Sequence, residues 1–171
     1  MRLLFPPGVQ EQRREELYGL LSLLALLLVL FTRWLPGLRP LRRGLGLAGF
    51  CYGLLHGWLA TDHVLEGDPS NLLFLNPTTQ AAIWAGVVAL ALLLPLALTS
   101  TATARRHLGR RWKTLHRLGP PMTLLATLHT AWAGVHFGLS PLRWPSLALL
   151  LLSGWLFLRH RSAPPIPRRT P

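Results

Sequence analysis

The amino-acid sequence predicts an all-α integral membrane protein, a bundle of about five transmembrane helices with the N-terminus outside and the C-terminus in the cytoplasm. Three observations carry this. Leucine runs such as Leu23-Leu24-Ala25-Leu26-Leu27-Leu28-Val29-Leu30 offer no polar face to water, and a helix that is apolar all round belongs in a bilayer or a large core. With 171 residues, half of them hydrophobic and 14% charged, the chain is too short to supply several such cores. Its basic residues flank the apolar runs rather than forming a separate face, so the net charge of +12 reads as membrane topology and not as nucleic-acid binding.

A span needs roughly 20 apolar residues. Five segments qualify, at about Leu17–Leu35, Gly44–Ala60, Thr79–Leu98, Leu115–Leu139 and Pro145–Leu158. The fifth is the shortest, so it is expected to stand nearly upright or to borrow from Leu142–Trp144. Residues 1–16 then form an extracytoplasmic segment, 17–160 the membrane domain and 161–171 a basic, proline-rich tail expected to be disordered. The first run ends in Thr32-Arg33-Trp34 without a small-x-small cleavage site, so the first helix is expected to be retained rather than removed as a signal peptide.

Charge sets the direction. With five spans, one side collects Arg33, Arg39, Arg42, Arg43, Arg105, Arg106, Arg110, Arg111, Lys113, Arg117, Arg159, Arg161, Arg168 and Arg169. The other side holds Arg2, Arg13, Arg14 and Arg143 together with all six acids, Glu11, Glu15, Glu16, Asp62, Glu66 and Asp68. Lys and Arg accumulate on the cytoplasmic side of membrane proteins. An omitted or extra helix would scramble this separation. Trp34 and Trp112 on the inner side, and Trp58, Trp84 and Trp144 on the outer, fit interfacial anchors.

Against this apolar background, His56, His116 and His129 fall inside the spans. An ionisable side chain at membrane depth is costly, so it faces a partner, a cavity or a cofactor. Imidazole is also an axial ligand of haem iron. His56 lies near the outer end of the second span and His129 in the outer half of the fourth, at depths that let both reach one cofactor. Gly49 and Gly53 share the helix face of His56, and Ala126 and Ala133 flank His129 at i−3 and i+4. Small residues at such spacing admit a neighbouring helix or a flat macrocycle. Spacing alone leaves three readings open: a haem site, histidines that only hydrogen-bond a neighbouring helix, and an ion or proton path.

His116 precedes His129 by 13 residues, about 20 Å along a helix, which suits two haems stacked across a bilayer. On an unbroken helix the two would stand roughly 140° apart. Pro120-Pro121 lies between them and is expected to kink the helix and realign the faces. His136 is a possible substitute ligand or an interfacial residue. His63, beside Asp62, is expected in a solvated outer loop, and His107 and His160 on basic surfaces.

Two chemistries are excluded. Cys51 is the sole cysteine, and no Cys-x-x-Cys-His is present, so covalent attachment of a c-type haem is ruled out. Gly44-Leu45-Gly46-Leu47-Ala48-Gly49 matches the dinucleotide fingerprint, but that fingerprint has meaning only between a strand and a helix of a βαβ unit. Here it opens a membrane span.

The stretch from Leu98-Thr99-Ser100-Thr101 through the basic loop with Leu108-Gly109-Arg110-Arg111-Trp112 to Leu115-His116 resembles a known signature. It is similar to the ferric-reductase-like transmembrane domain, specifically the haem-binding membrane subunit of the bacterial methionine sulfoxide reductase system. Arg42-Arg43-Gly44-Leu45-Gly46 leading to Leu55-His56, and Leu128-His129 followed by Trp132, fit the same pattern, and the resemblance covers roughly residues 17–160. It implies a b-type cytochrome of the bacterial inner membrane with His56, His129 and His116 as haem-iron ligands. It also implies electrons drawn from a separate cytoplasmic flavin reductase or quinone, and delivered to a periplasmic molybdenum-containing reductase that repairs oxidised methionine. FMN or quinone is the further cofactor implied.

The chain departs from the family in two ways. The family has six spans, and the first is expected to be missing here. Dihaem relatives take two histidines from each of two helices, whereas the second span offers His56 alone, and the level of His116 falls near Arg42 and Arg43. An outer haem on His56 and His129 is therefore the primary expectation. An inner one would need His116 and a further ligand. Arg42 and Arg43 suit propionates or a flavin phosphate, which guanidinium forks bind well. The rival functions are a cofactor-free membrane anchor for a partner enzyme and a small histidine-based ion or proton transporter. The absence of an acid within the spans disfavours the transporter.

Overall fold

The computed structural model describes residues 7–136, 151–152, 154–155 and 157–158. Within them the chain is all-helical: α1 (Pro7–Phe31), α2 (Arg42–Val64), α3 (Pro77–Leu98), α4 (Ala102–Leu108), α5 (Arg110–His116) and α6 (Gly119–His136), with 3-10 turns at Pro36–Leu41 and Pro69–Phe74. Helix α1 packs chiefly on α2, and α3 chiefly on α6. Lesser α2–α3 and α1–α6 contacts join the two pairs.

The leucine run of α1 is apolar all round, but packing divides it. Leu23, Leu26, Leu27 and Leu30 turn inward at helical spacing, while Leu24 is left exposed. Thr32 ends the helix by donating to the Val29 carbonyl. Helix α2 approaches α1 closely at Gly49. Ser22 Oγ donates to the Gly49 carbonyl at 2.7 Å, and a Cβ at position 49 would stand 3.0 Å from Leu26 Cδ2.

Helix α3 begins on Asn76, whose side chain accepts from the Thr79 N–H, and Pro77 fills the first helical position, where no donor is needed. Ala82, Ala89, Leu93 and Leu96 face inward. The outward residues Trp84, Val87, Val88, Leu94 and Leu98 are apolar as well, a surface suited to lipid. Among the described residues, α3 is the helix long and apolar enough to cross a membrane by length and composition.

The core consists of two clusters that meet at Ala126 of α6. Leu23, Leu27 and Leu30 form one, and Leu26, Leu93, Leu96 and Met122 the other. Leu152, from the expected fifth span, packs on the first cluster, and Trp155 stacks on Trp34. Most of that span lies outside the described residues. Thr123 and Thr127 are buried on α6 and return their hydroxyls to carbonyls four residues back, a bond open to threonine in any helix.

Several expected boundaries are corrected. The first helix starts at Pro7, so most of the segment 1–16 continues the helix instead of leading into it. The second runs from Arg42 to Val64, which puts Asp62 and His63 in a helical turn and not in a loop. His63 Nδ1 lies 4.0 Å from the Glu11 carboxylate on the extended start of α1. The fourth span, expected to be one kinked helix over Leu115–Leu139, is two. Helix α5 ends at His116, and α6 starts at Gly119 with Pro120 and Pro121 in its first turn. Consecutive prolines lack the N–H groups that would continue α5, so they can only open a new helix. His116 and His129 consequently belong to different helices.

Replacing Gly49 by valine is expected to destabilise the protein by about 1–3 kcal/mol through overpacking against Leu26. Gly44→Val, where nothing lies within 4 Å, should stay within about 0.5 kcal/mol. Thermal unfolding of both variants in one detergent checks the difference.

Candidate functional site

The two helix pairs present one histidine each to their junction. His56 of α2 reaches across to α1, where its Nδ1 lies 3.1 Å from the Glu15 carbonyl oxygen. His129 of α6 does the same on α3, with Nδ1 2.7 Å from the Ala82 carbonyl oxygen. A carbonyl only accepts, so Nδ1 carries the proton in both rings, and each Nε2 is left as a lone-pair nitrogen. The two ring centroids are 5.8 Å apart, with planes inclined by 62°.

This arrangement fits a haem iron. A metal–imidazole bond is about 2 Å long, so two imidazoles on one iron stand with centroids about 6 Å apart. Metal-bound histidines commonly donate their other nitrogen to a carbonyl, which fixes tautomer and ring orientation, as Glu15 and Ala82 do here. Among the described residues no group of three or more His, Cys, Asp or Glu is placed to hold a metal ion. A pair of histidines suits a metal whose remaining positions a macrocycle fills, whereas a bare zinc ion takes three or four protein ligands.

His116 is elsewhere and differently engaged. It stacks on Trp112, with centroids 4.1 Å apart, and its Nε2 lies 3.1 Å from Thr99 Oγ. The Thr99 hydroxyl is directed to the Pro95 carbonyl at 2.6 Å, so the histidine donates and the threonine accepts. Trp112 donates to the Thr99 carbonyl at 2.9 Å. Together these bonds fasten the basic loop to the C-terminal end of α3. Trp112, read from sequence as an interfacial anchor, has this more specific task. Arg42 is near enough for its charge to act on His116, while Arg43 is exposed.

The small residues beside the histidines are filled by protein. Gly49 faces Leu26 and Ser22 of α1, and Gly53 faces Ser22 and Leu90, so both bring helices together. Ala126 joins the two core clusters, and Ala133 is partly buried one turn past His129. The glycines that meet the histidine rings are others. A Cβ at Gly19 would lie 3.1 Å from His56 Nδ1, and one at Gly86 would lie 2.9 Å from both Nδ1 and Cε1 of His129. Sequence reasoning missed them because neither belongs to a close glycine repeat such as Gly49-x-x-x-Gly53. His107 is exposed as expected, and His160 lies outside the described residues.

Residues 17–127 match the family model of the ferric reductase like transmembrane component. The chain belongs to this family. The matched region contains His56 and His116, and His129 follows just after it. The chain is 43% identical over 124 residues to a protein-methionine-sulfoxide reductase heme-binding subunit, MsrQ, of Bordetella pertussis, an alignment covering 70% of this chain and 58% of that protein. The proteins of the same name from Brucella ovis and Brucella canis are 38% identical over 138 residues, 77% of this chain and 59% of each relative. The chain thus spans a little under three fifths of the length of these relatives. No solved structure matches it. Membership of a transmembrane family agrees with the apolar exterior of α3 and establishes a membrane protein.

Just outside the first expected span, Glu15 is partly buried, and that burial pushes its carboxyl up to about 6, against a lowering by the His63 charge and with a smaller rise from Glu16. A carboxyl raised in the folded state holds its proton more tightly there than in the unfolded chain. The resulting penalty is absent below the unfolded value, grows as pH rises from about 4.5 to about 6, and is complete above that. Glu15→Gln is therefore expected to stabilise the protein by about 1 kcal/mol at pH 7, allowing for solvent screening, and not at all at pH 4. Melting temperatures of both proteins across this range check the sign.

Proposed function

We propose that this protein is a b-type haem membrane subunit that carries electrons across the bacterial inner membrane. The single observation that carries the reading is the facing pair His56 and His129, 5.8 Å apart, each with Nδ1 committed to a carbonyl. When bound, the haem supplies one-electron redox chemistry between ferric and ferrous iron, and the protein tunes it through ligation and burial. His56 and His129 would hold the haem iron. Apolar helices around them keep water away and hold both rings in one tautomer.

The relatives named heme-binding subunits of protein-methionine-sulfoxide reductase support a haem and a methionine sulfoxide reductase as partner, and the proposed electron acceptor is a periplasmic, molybdenum-containing enzyme of that kind. A separate flavin reductase or the quinone pool is the proposed donor at the inner face. There the arginine-rich loops suit propionates, FMN or another anionic partner. His116 is the remaining candidate ligand, for a second haem at the inner end. Its Nε2 is engaged by Thr99, so such a haem would have to displace that bond, and we favour one haem per chain.

Purified protein supplemented with haem should show a Soret band with a low-spin reduced spectrum. His56→Ala and His129→Ala should each abolish most of it, and His116→Ala should leave haem content unchanged. A colourless protein would return the function to a membrane anchor. Loss of half the haem in His116→Ala would establish a second inner site.

A further inference from the structure

We propose that Gly19 and Gly86 are positioning residues for the two histidines, each clearing the path by which the imidazole reaches the helix carbonyl that holds it. This rests on the haem reading above and adds to it the residues that set ligand strength.

The geometry repeats in both helix pairs. Glu15 accepts from His56, and Gly19 stands four residues on in the same helix. Ala82 accepts from His129, and Gly86 again stands four residues on. The spacing has a physical origin. In an α-helix the carbonyl of residue i points toward residue i+4, whose N–H it accepts. Here each imidazole reaches the second lone pair by lying over residue i+4. Any Cβ there stands in the way. The clearance figures say so directly: 3.1–3.4 Å to three atoms of the His56 ring at Gly19, and 2.9–3.1 Å to three atoms of the His129 ring at Gly86. The ring is rigid and held at both ends of its reach, so it cannot yield as the tip of a leucine would.

The consequence is electronic as well as steric. An Nδ1–H donated to a carbonyl raises the basicity of the ligating nitrogen. A more basic ligand favours ferric over ferrous iron and lowers the potential. A methyl group at position 86 should push His129 off the Ala82 carbonyl, weaken that donation and raise the potential. The same change at position 19 should act in the same direction and less strongly, because its clearance is larger and its hydrogen bond is longer, 3.1 Å against 2.7 Å. Selection of glycine at these positions is thus a device for tuning two axial ligands from the helices that do not carry them.

The test uses the full chain in detergent, loaded with haem, as wild type and as Gly86→Ala, Gly19→Ala and Gly46→Ala. Gly46 is the control, since its Cβ would meet only Val29 at 4.0 Å. Redox titration is expected to show the ferric-to-ferrous ratio at fixed potential falling about tenfold in Gly86→Ala, or about 59 mV for one electron. Gly19→Ala should give a smaller fall and Gly46→Ala none, with the low-spin electron paramagnetic resonance signal of the two active-site variants shifted at retained haem content. A Gly86→Ala protein that keeps its haem with unchanged potential and spectrum overturns the proposal, as does an equal shift in Gly46→Ala. Should Gly86→Ala not accumulate, pulsed electron paramagnetic resonance of the remote imidazole nitrogens in the wild type decides. Strong hydrogen bonding at both Nδ1–H groups supports the proposal, and its absence overturns it. Failure of the haem reading has a separate signature: wild type that binds no haem, or histidine-to-alanine variants that keep the two-imidazole spectrum. Either result removes this inference with it.

Discussion

Two hydrogen bonds, His56 to the Glu15 carbonyl and His129 to the Ala82 carbonyl, tie together nearly everything else about the molecule. An imidazole N–H within apolar surroundings is costly without an acceptor, and a bilayer offers no water to supply one. Helix carbonyls supply it because each has a second lone pair beyond the one used in its own helix. Meeting that carbonyl requires the partner helix to come close, which Gly49 and the Ser22–Gly49 bond bring about on one side. It also requires a bare backbone at the contact, which Gly19 and Gly86 give. The tautomer follows, and with it an Nε2 left as a lone-pair nitrogen, the form a metal would need.

The C-terminal end of α3 shows the same residue type put to a different use. At His116 it is Nε2 that is occupied, by Thr99, while the ring face lies on Trp112. A histidine whose Nε2 donates is a structural fastener, and here it pins a basic loop to the end of α3. Histidine at membrane depth is therefore not one signal but two, and which nitrogen is bonded tells them apart. Depth and spacing in the sequence carry no information on that point.

What was legible in the sequence follows local rules. The third span, read from its apolar run alone, is found within two residues at its start, where Asn76 caps the helix and Pro77 opens it. The turn after it was visible as Thr-Ser-Thr followed by the basic loop. The depth of His56 and His129 in apolar runs was enough to bring them together. The break after His116 was read as a kink because proline does bend helices, yet two consecutive prolines remove two donors and force a new start. The glycines at 19 and 86 were illegible for a different reason. Their partners are histidines on other helices, joined by bonds spanning 41 and 47 residues, and a lone glycine in an apolar helix shows no sign of such a partner. Gly49 and Gly53, which did form a visible pattern, turn out to face Leu26, Ser22 and Leu90. The repeated stripe brings helices together at Ser22, Leu26 and Leu90, whereas Gly19 and Gly86 each lie against a histidine ring.

The division into helix pairs gives the proposed cofactor a structural part to play. Packing is concentrated within α1–α2 and within α3–α6, and the two pairs touch one another less. Each pair carries one of the two facing histidines, His56 on α2 and His129 on α6. A group ligated by both would join the halves by metal–nitrogen bonds where side-chain packing is sparse, and metal binding of this kind contributes directly to folding free energy. Each pair in turn holds its own histidine rigid through a backbone carbonyl, so the ligands arrive oriented before the group binds. The halves orient the histidines separately, and the proposed cofactor would supply the connection between them.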